Sequence, residues 1–316
     1  MTEPAPEPRS FTFLVNPAAG GGAAPGAVVP VARLLREAGA RVDVTYSPGP
    51  GAMAGLVEEA VGRGDVVVAV GGDGMLSSLA GLVAAADGVL GILPAGRGND
   101  FARALGLPDD VEGRARLLLR APVRRVDLLA LSLPGAPPGG RPRLVAGSVY
   151  AGVDARAAEI VDRSRRIPRR LQYPLAALRA LATYRPARYR LVLDGTVHDI
   201  EAATVVVANS PCYGQGMRIA PDARVDDGRL DVVVIEAASR PALMRALPKV
   251  YDGSHVHLPE VTVLTGHRVE LSADAGPAAA PGVPLGGDGE PLGTLPALGG
   301  EPARVDLLPA ALALIC

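Results

Sequence analysis

The stretch Val66-Val-Val-Ala-Val-Gly-Gly-Asp-Gly74 decides how the chain folds. Its unbroken apolar run reads as a strand buried on both faces, and it empties into three glycines set around one carboxylate. Met75 through Leu79 to Val83 then reads as a helix. A strand, a turn without Cβ atoms and a helix N-terminus bring backbone N–H groups close to a bound anion, and phosphate is the usual guest. A carboxylate there is repelled by phosphate unless a metal ion lies between them, so Asp73 points toward a Mg2+-nucleotide. Taken alone, Gly71 to Gly74 are equally well read as a tight turn with Asp73 capping the helix. The pattern is neither the Gly-x-Gly-x-x-Gly fingerprint nor a P-loop, since no Gly-Lys-Ser/Thr occurs and Lys249 is the only lysine.

Outward from this stretch, strands and helices alternate. Phe11–Val15, Arg41–Thr45, Val66–Val70 and Val89–Leu93 read as strands, and Val28–Ala38, Ala52–Val61, Met75–Ala85 and Val111–Leu119 as helices. Such alternation implies parallel strands joined by right-handed crossovers, a doubly wound sheet whose ligands bind beyond the carboxyl ends of its strands. Three unusual loops fall on that edge: Asn16–Gly22, Gly71–Gly74 and Pro94–Asp100. After a Pro/Gly-rich break at Leu133–Pro142 the character changes to strands (Leu144–Val149, Tyr189–Leu193, Ala203–Ala208, Leu230–Ile235, Val261–Thr265 and Arg268–Ser272) with one helical insert. The expected architecture is an α/β nucleotide-binding domain over residues 9–130 and a mostly antiparallel β-sandwich domain over 131–300. Residues 301–316 are expected to return to the first. Ala273–Leu285 reads as loop.

With 316 residues, 48% hydrophobic and 21% charged, the chain has the composition of a globular protein. A net charge of −1, with 3% aromatics and no Trp, argues against nucleic-acid binding. Cys212 and Cys316 match no metal spacing and read as free thiols in a reducing compartment. No run approaches the roughly 20 apolar residues of a membrane span. The acidic, proline-rich start Met1–Pro8 reads as a frayed tail, so a cytoplasmic location is expected, with any membrane contact peripheral. The four histidines show no metal spacing and read as surface or loop residues, although His255 and His257 would share a face on a strand.

The segment Asp154–Arg190 is the one strongly basic region, with ten arginines against Asp154, Glu159 and Asp162. Interleaved apolar residues make parts of it amphipathic, which suits the surface of an anionic membrane. A solvated arginine-rich helix face explains it equally well.

Five groups of residues resemble one family in order and spacing. They are Val15-Asn16-Pro17, Gly71-Gly72-Asp73-Gly74, Gly91 to Arg103 with its Pro94-Ala-Gly-Arg-Gly-Asn-Asp-Phe-Ala core, Pro221 to Asp231, and Asp288-Gly-Glu290. Together they are similar to the diacylglycerol kinase-like lipid kinases of the soluble bacterial type, over residues 11 to 315. Gly-Gly-Asp-Gly alone also suits NAD kinases and phosphofructokinases; the distal elements favour lipid kinases. The resemblance implies a nucleotide site between the two domains, with ATP contacts at Asn16, Thr45, Gly71, Gly72, Asp73, Gly74, Met75, Leu76, Ser77 and Arg97. It implies an acidic, Mg2+-linked network of Asp73, Asp100 and Asp127. A second, structural Mg2+ would use Asp227 with backbone oxygens of Arg224 and Arg229. The general base would be Asp288 or Glu290, between which the sequence does not choose, and Asp73 joins them in the catalytic set. Without the resemblance, Asp227 reads as part of an Asp-Gly turn and Asp288–Glu290 as a hairpin turn.

The chain departs from the family pattern at Met75 and Arg97, where Thr is usual, and at Ala18, where Lys is frequent. Losing a hydroxyl bond to a charged group costs on the order of 1.5–3 kcal/mol, which Arg97 would offset by pairing with phosphate or worsen by blocking the pocket. The leading expectation is an ATP- and Mg2+-dependent kinase of a lipid hydroxyl, diacylglycerol foremost. A kinase of a sphingoid base, phosphatidylglycerol or a small hydroxylated metabolite stands beside it, as does a catalytically silent nucleotide- or lipid-binding regulator. A homodimer is compatible with the sequence, which leaves oligomeric state open.

Overall fold

The computed structural model describes residues 9–47, 49–135, 141–163, 169–183, 185–275 and 282–316. The tail Met1–Pro8, part of the Leu133–Pro142 break, Arg165, Arg166 and part of the Ala273–Leu285 segment lie outside them. The chain divides into two units, residues up to 126 with 311–316, and residues 127–310.

In the first unit the elements run β1 (Phe11–Val15), α1 (Ala24–Glu37), β2 (Val42–Tyr46), α2 (Met53–Gly62), β3 (Val66–Gly71), α3 (Asp73–Ala85), β4 (Val89–Pro94), the short α4 (Asp100–Ala104) and α5 (Val111–Arg120). β1 pairs in parallel with β2 on one side and β3 on the other, β3 pairs with β4, and β4 takes Ala313 and Leu314 as a further parallel strand. The doubly wound reading is therefore correct. Every residue of β1 and β3 is buried, as a strand covered on both faces requires. Phe11, Phe13, Val66, Val68 and Val70 pack with Val28, Val31 and Leu35 of α1 in one core. The chain leaves β1 toward β2 on one side and returns through β3 on the other, so the strand order reverses between β1 and β3. The crevice beyond their carboxyl ends is where such sheets bind ligands.

The second unit continues with β5 (Val123–Ser132), β6 (Arg143–Val145), β7 (Ser148–Gly152), α6 (Val153–Arg163), α7 (Arg169–Ala182), β8 (Ala187–Leu193), β9 (Thr196–Ala208), β10 (Leu230–Glu236), α8 (Arg240–Asp252), β11 (Val261–Gly266), β12 (Arg268–Asp274), β13 (Pro284–Gly287), β14 (Glu290–Thr294) and β15 (Ala303–Ile315). Its pairings are antiparallel. The first half of β9 pairs with β8, and its second half lies between β10 and β7. Successive residues of that second half point to opposite cores: Val205 and Val207 join Leu230, Val232 and Val234 of β10 in the β-sandwich interior, while Val206, Ala208 and Val233 join the cluster under the helices. This two-sided burial is why Ala203–Ala208 reads as a continuous apolar run.

Two local expectations are corrected, and a third, that of two free cysteines, holds. The insert holds two helices, not one, and its basic end Arg188 and Arg190 lies on β8, where exposed arginines alternate with buried Ala187, Tyr189 and Leu191. His255 and His257 fall in a 3-10 turn after α8, and His255 is buried with Nε2 3.0 Å from the Ile219 carbonyl oxygen. Cys212 and Cys316 are free.

Candidate functional site

The three loops expected at the carboxyl edge of the first sheet are tied to one another by their backbones. Asn16 N donates to the Val70 carbonyl at 3.0 Å, and Ala95 N to the Gly71 carbonyl at 2.8 Å. Asn16 Oδ1 accepts from Ala18 N at 3.0 Å and turns the chain into the glycine run. Thr45 sits near the end of β2, in register with Leu14. Gly96 lies against the Gly72 Cα, and a Cβ on it would stand 2.8 Å from Asn99 Oδ1, so the second and third loops meet backbone to backbone. Asn99 adopts φ 53° and its Oδ1 accepts from Gly96 N at 2.8 Å.

At α3 the N-cap is Gly72, which supplies no side chain to the first-turn N–H groups. First-turn N–H groups without a side-chain cap are a place where an anion can bind. Asp73 does not cap its own helix, the simpler explanation considered above; its Oδ1 accepts from Phe101 N of α4 at 3.1 Å. Burial, and then the neighbouring charge of Asp100, push Asp73 up to about 6. Asp100 is buried and shares its charge with Arg103 at 3.2 Å. A buried carboxyl that a neighbouring carboxylate raises fits a divalent cation, which would favour both groups in the charged form. Met75, Leu76 and Ser77 line the first turn of α3, with Leu76 and Ser77 buried. Arg97 is exposed at the tip of the third loop.

In the second unit, Asp288 and Gly289 form the two-residue turn between β13 and β14, with φ of 45° and 84°. Positive φ at both positions is the backbone of a type I′ hairpin, for which Asp-Gly is a preferred pair. The hairpin aims the Asp288 carboxylate at the loop before β7, where it accepts from Ala146 N and Gly147 N at 3.0 Å and Ser148 N at 2.8 Å. A Cβ on Gly147 would lie 2.6 Å from Asp288 Oδ1. Glu290, two residues on, is exposed and ion-paired with Arg143 at 2.7 Å.

Asp127 is buried on β5, and both its oxygens are committed to backbone: Oδ2 accepts from Gly228 N at 2.8 Å and Oδ1 from Ala310 N at 2.7 Å. Its charge thus fastens the loop that carries Arg224, Asp227 and Arg229. Asp227 Oδ1 accepts from Arg229 N at 3.1 Å. Asp231 was not singled out in the sequence; burial, then Asp227 and Asp222, push it up to about 6. Its place in the apolar run Leu230–Ile235 hid it, although an acid inside a buried strand is itself a signal. Among the described residues no three His, Cys, Asp or Glu side chains converge to hold an ion by themselves. Mg2+ ordinarily takes one or two carboxylates with water or phosphate oxygens, which Asp73 with Asp100, or Asp227 with carbonyls of its loop, can supply.

Residues 10–131 match the sequence family described as the diacylglycerol kinase catalytic domain, and residues 147–316 the YegS C-terminal NAD kinase beta sandwich-like domain. The chain belongs to the diacylglycerol kinase family of lipid kinases. A diacylglycerol kinase of Mycobacterium tuberculosis is 33% identical over 306 residues, covering 95% of this chain and 93% of that one. A probable YegS-like lipid kinase of Chromohalobacter salexigens is 29% identical, covering 89% and 85%. The crystal structure of a putative diacylglycerol kinase from Bacillus anthracis shares the fold at a TM-score of 0.72 and 20% identity, covering 98% of both chains. The kinase has no helix, among its described residues, long and apolar enough to cross a membrane.

Proposed function

We propose that the kinase transfers the γ-phosphoryl group of ATP, with Mg2+, to the hydroxyl of diacylglycerol and releases phosphatidic acid. The observation that carries this reading is the Asp73–Asp100 pair under the glycine loops, where burial and then the charge of Asp100 raise Asp73 and a divalent cation would favour both in the charged form, beside a helix N-terminus without a side-chain cap. The first-turn N–H groups of α3 would hold phosphoryl oxygens, with Asn16, Thr45 and the exposed Arg97 contributing at the loop edges. Mg2+ held by Asp73 and Asp100 would neutralise charge on the transferring group. Asp127, whose own oxygens serve Gly228 and Ala310, would act through the loop it fastens. Asp227, with carbonyls of Arg224 and Arg229, would hold the structural cation.

Between the two acids proposed as base, the geometry favours Asp288. Three N–H donors, from Ala146, Gly147 and Ser148, fix its orientation. A carboxylate fixed in place suits phosphoryl transfer, in which the attacking oxygen gives up its proton late, as the loose transition state closes. The exposed Glu290 has its charge engaged by Arg143. For the approach to lipid, α7 offers Leu175 and Leu178, both exposed and three residues apart, with exposed Arg179 next to them, while Ala176, Ala177 and Ala180 pack inward.

The test is transfer of labelled γ-phosphate into mixed micelles of diacylglycerol, with and without Mg2+. Label is expected in phosphatidic acid, only with the cation. Asp288→Asn should lower the rate about 10²–10⁴-fold, the usual contribution of a general base, with ATP binding retained; Glu290→Gln should change it little. Equal losses in both variants would refute the assignment of the base, and label in another lipid or a soluble acceptor would refute that of the substrate.

A further inference from the structure

Asn209, the first residue after β9, is fully buried. Its Nδ2 donates to two carbonyl oxygens, Ala146 at 2.8 Å and Asp127 at 2.9 Å. Its backbone N donates to the Gly147 carbonyl at 2.8 Å, with Ser210 N beside it at 3.2 Å. Carbonyls only accept, so the orientation of the side-chain amide is forced. The Oδ1 that results is buried and meets no donor among the described residues, which is a cost to the fold. What the side chain contributes is therefore its donors.

Those donors fall on the peptides that grip Asp288. The Ala146 carbonyl and the Gly147 N–H belong to one peptide unit, and the Gly147 carbonyl and the Ser148 N–H to the next. Both N–H groups donate to the Asp288 carboxylate, Gly147 at 3.0 Å and Ser148 at 2.8 Å. Residue 209 thus holds each peptide by its carbonyl while the other end of that peptide holds the carboxylate. Hydrogen bonds in series polarise one another, so a peptide whose carbonyl is engaged donates more strongly through its N–H. The second bond of Nδ2 ties the pair to β5 at Asp127, whose carboxylate is itself committed to Gly228 and Ala310. We infer that Asn209 is a positioning residue of the phosphoryl transfer, fixing residues 146–148 from behind so that Asp288 keeps one orientation toward the acceptor hydroxyl. The inference rests on Asp288 as the base, proposed above, and Asn209 acts only through it.

The test compares wild type, Asn209→Ala, Asp288→Asn and the double variant by transfer of labelled γ-phosphate to whichever lipid the wild type labels, well below the Tm of each. Asn209→Ala should lower kcat by up to about 100-fold, the scale of a small misplacement of a reacting group, at an unchanged KM for ATP. In the Asp288→Asn background the same substitution should change kcat by less than about twofold, because the group it positions is already gone. Asn209→Ser, whose hydroxyl keeps one donor, should show the same pattern with a smaller loss and replaces the alanine variant if that one fails to fold. A readout without turnover is heteronuclear NMR of protein labelled at glycine nitrogen, with Gly147 assigned by its disappearance in Gly147→Ala. Its amide proton, donated to a carboxylate, should move upfield in the Asn209 variant as that bond weakens. Wild-type kcat in the folded Asn209 variant, equal losses in both backgrounds or an unmoved Gly147 proton would each overturn the inference. Undiminished transfer by Asp288→Asn would sink the base itself, whereas a loss there that the Asn209 variant does not share would sink the role of Asn209 alone.

Discussion

Burial and the charge of Asp100 raise Asp73, so its ionised form is a cost to the fold. Because its native value, about 6, exceeds the roughly 3.9 of an unfolded Asp, the native state binds more protons between those limits. Stability therefore falls as pH rises from about 4 to 6 and is level above that. Enclosed fully, such a shift is worth about 3 kcal/mol; Asp73 keeps some solvent contact, which reduces it to about 1–2 kcal/mol. Asp73→Asn should thus unfold at higher urea than the wild type at pH 8 and at the same urea near pH 4, with transfer lost. Identical midpoints at pH 8 would show that the carboxylate is not penalised. Gly147 is the converse case, a residue with no chemistry whose lack of Cβ leaves room for Asp288. Gly147→Ala should lower kcat about 100-fold, the scale of a small misplacement of a reacting group, with nucleotide affinity unchanged. An unaltered kcat would mean that the grip of residues 146–148 on Asp288 does not matter for the reaction.

Elements with a single strong period were legible in the sequence, and those built from competing signals were not. β1, β3 and β4 stand within a residue of their expected limits, because two-sided burial demands an unbroken apolar run. α1 begins at Ala24, four residues earlier than read, since Pro25 fits the first turn of a helix. α8 went unread because Pro248 looks like a break, yet Ser239 accepts from Ala242 N, Pro241 opens the helix and Gly253 closes it at φ 83°. The glycine loops and the Asp-Gly hairpin were visible as local patterns. The partners of their acids were not, since Asp288 meets Ala146–Ser148 across about 140 residues and no spacing rule reaches that far. Asp127 shows the consequence at this scale, joining β5 to the loop of Asp227 and to β15. Asp127→Ala would strand two backbone donors and should cost about 2–5 kcal/mol in urea unfolding. Asp127→Asn should fall between, since its amide oxygen still accepts one of them. Equal stability of wild type and Asp127→Ala would leave that loop fastened by other means.

Over the whole molecule the charges nearly cancel at −1, so attraction to a membrane has to come from local distribution. α7 presents two separable contributions on its outer face. Arginine draws anionic headgroups at about 1 kcal/mol per residue near the surface, and this is screened as the Debye length shrinks from about 10 Å at 0.1 M salt to 3 Å at 1 M. Leu175 and Leu178 contribute buried apolar area, which salt does not screen. The full chain should therefore sediment with vesicles of anionic phospholipid at 0.1 M salt, far less with zwitterionic vesicles, and retain only a weak fraction at 1 M. The double variant Leu175→Ser and Leu178→Ser, at exposed positions that leave the core untouched, should lose that salt-resistant fraction and keep part of the salt-sensitive one. Binding indifferent to both headgroup charge and salt would mean that the arginines of Asp154–Arg190 are simply solvated and that the kinase reaches its lipid by another surface.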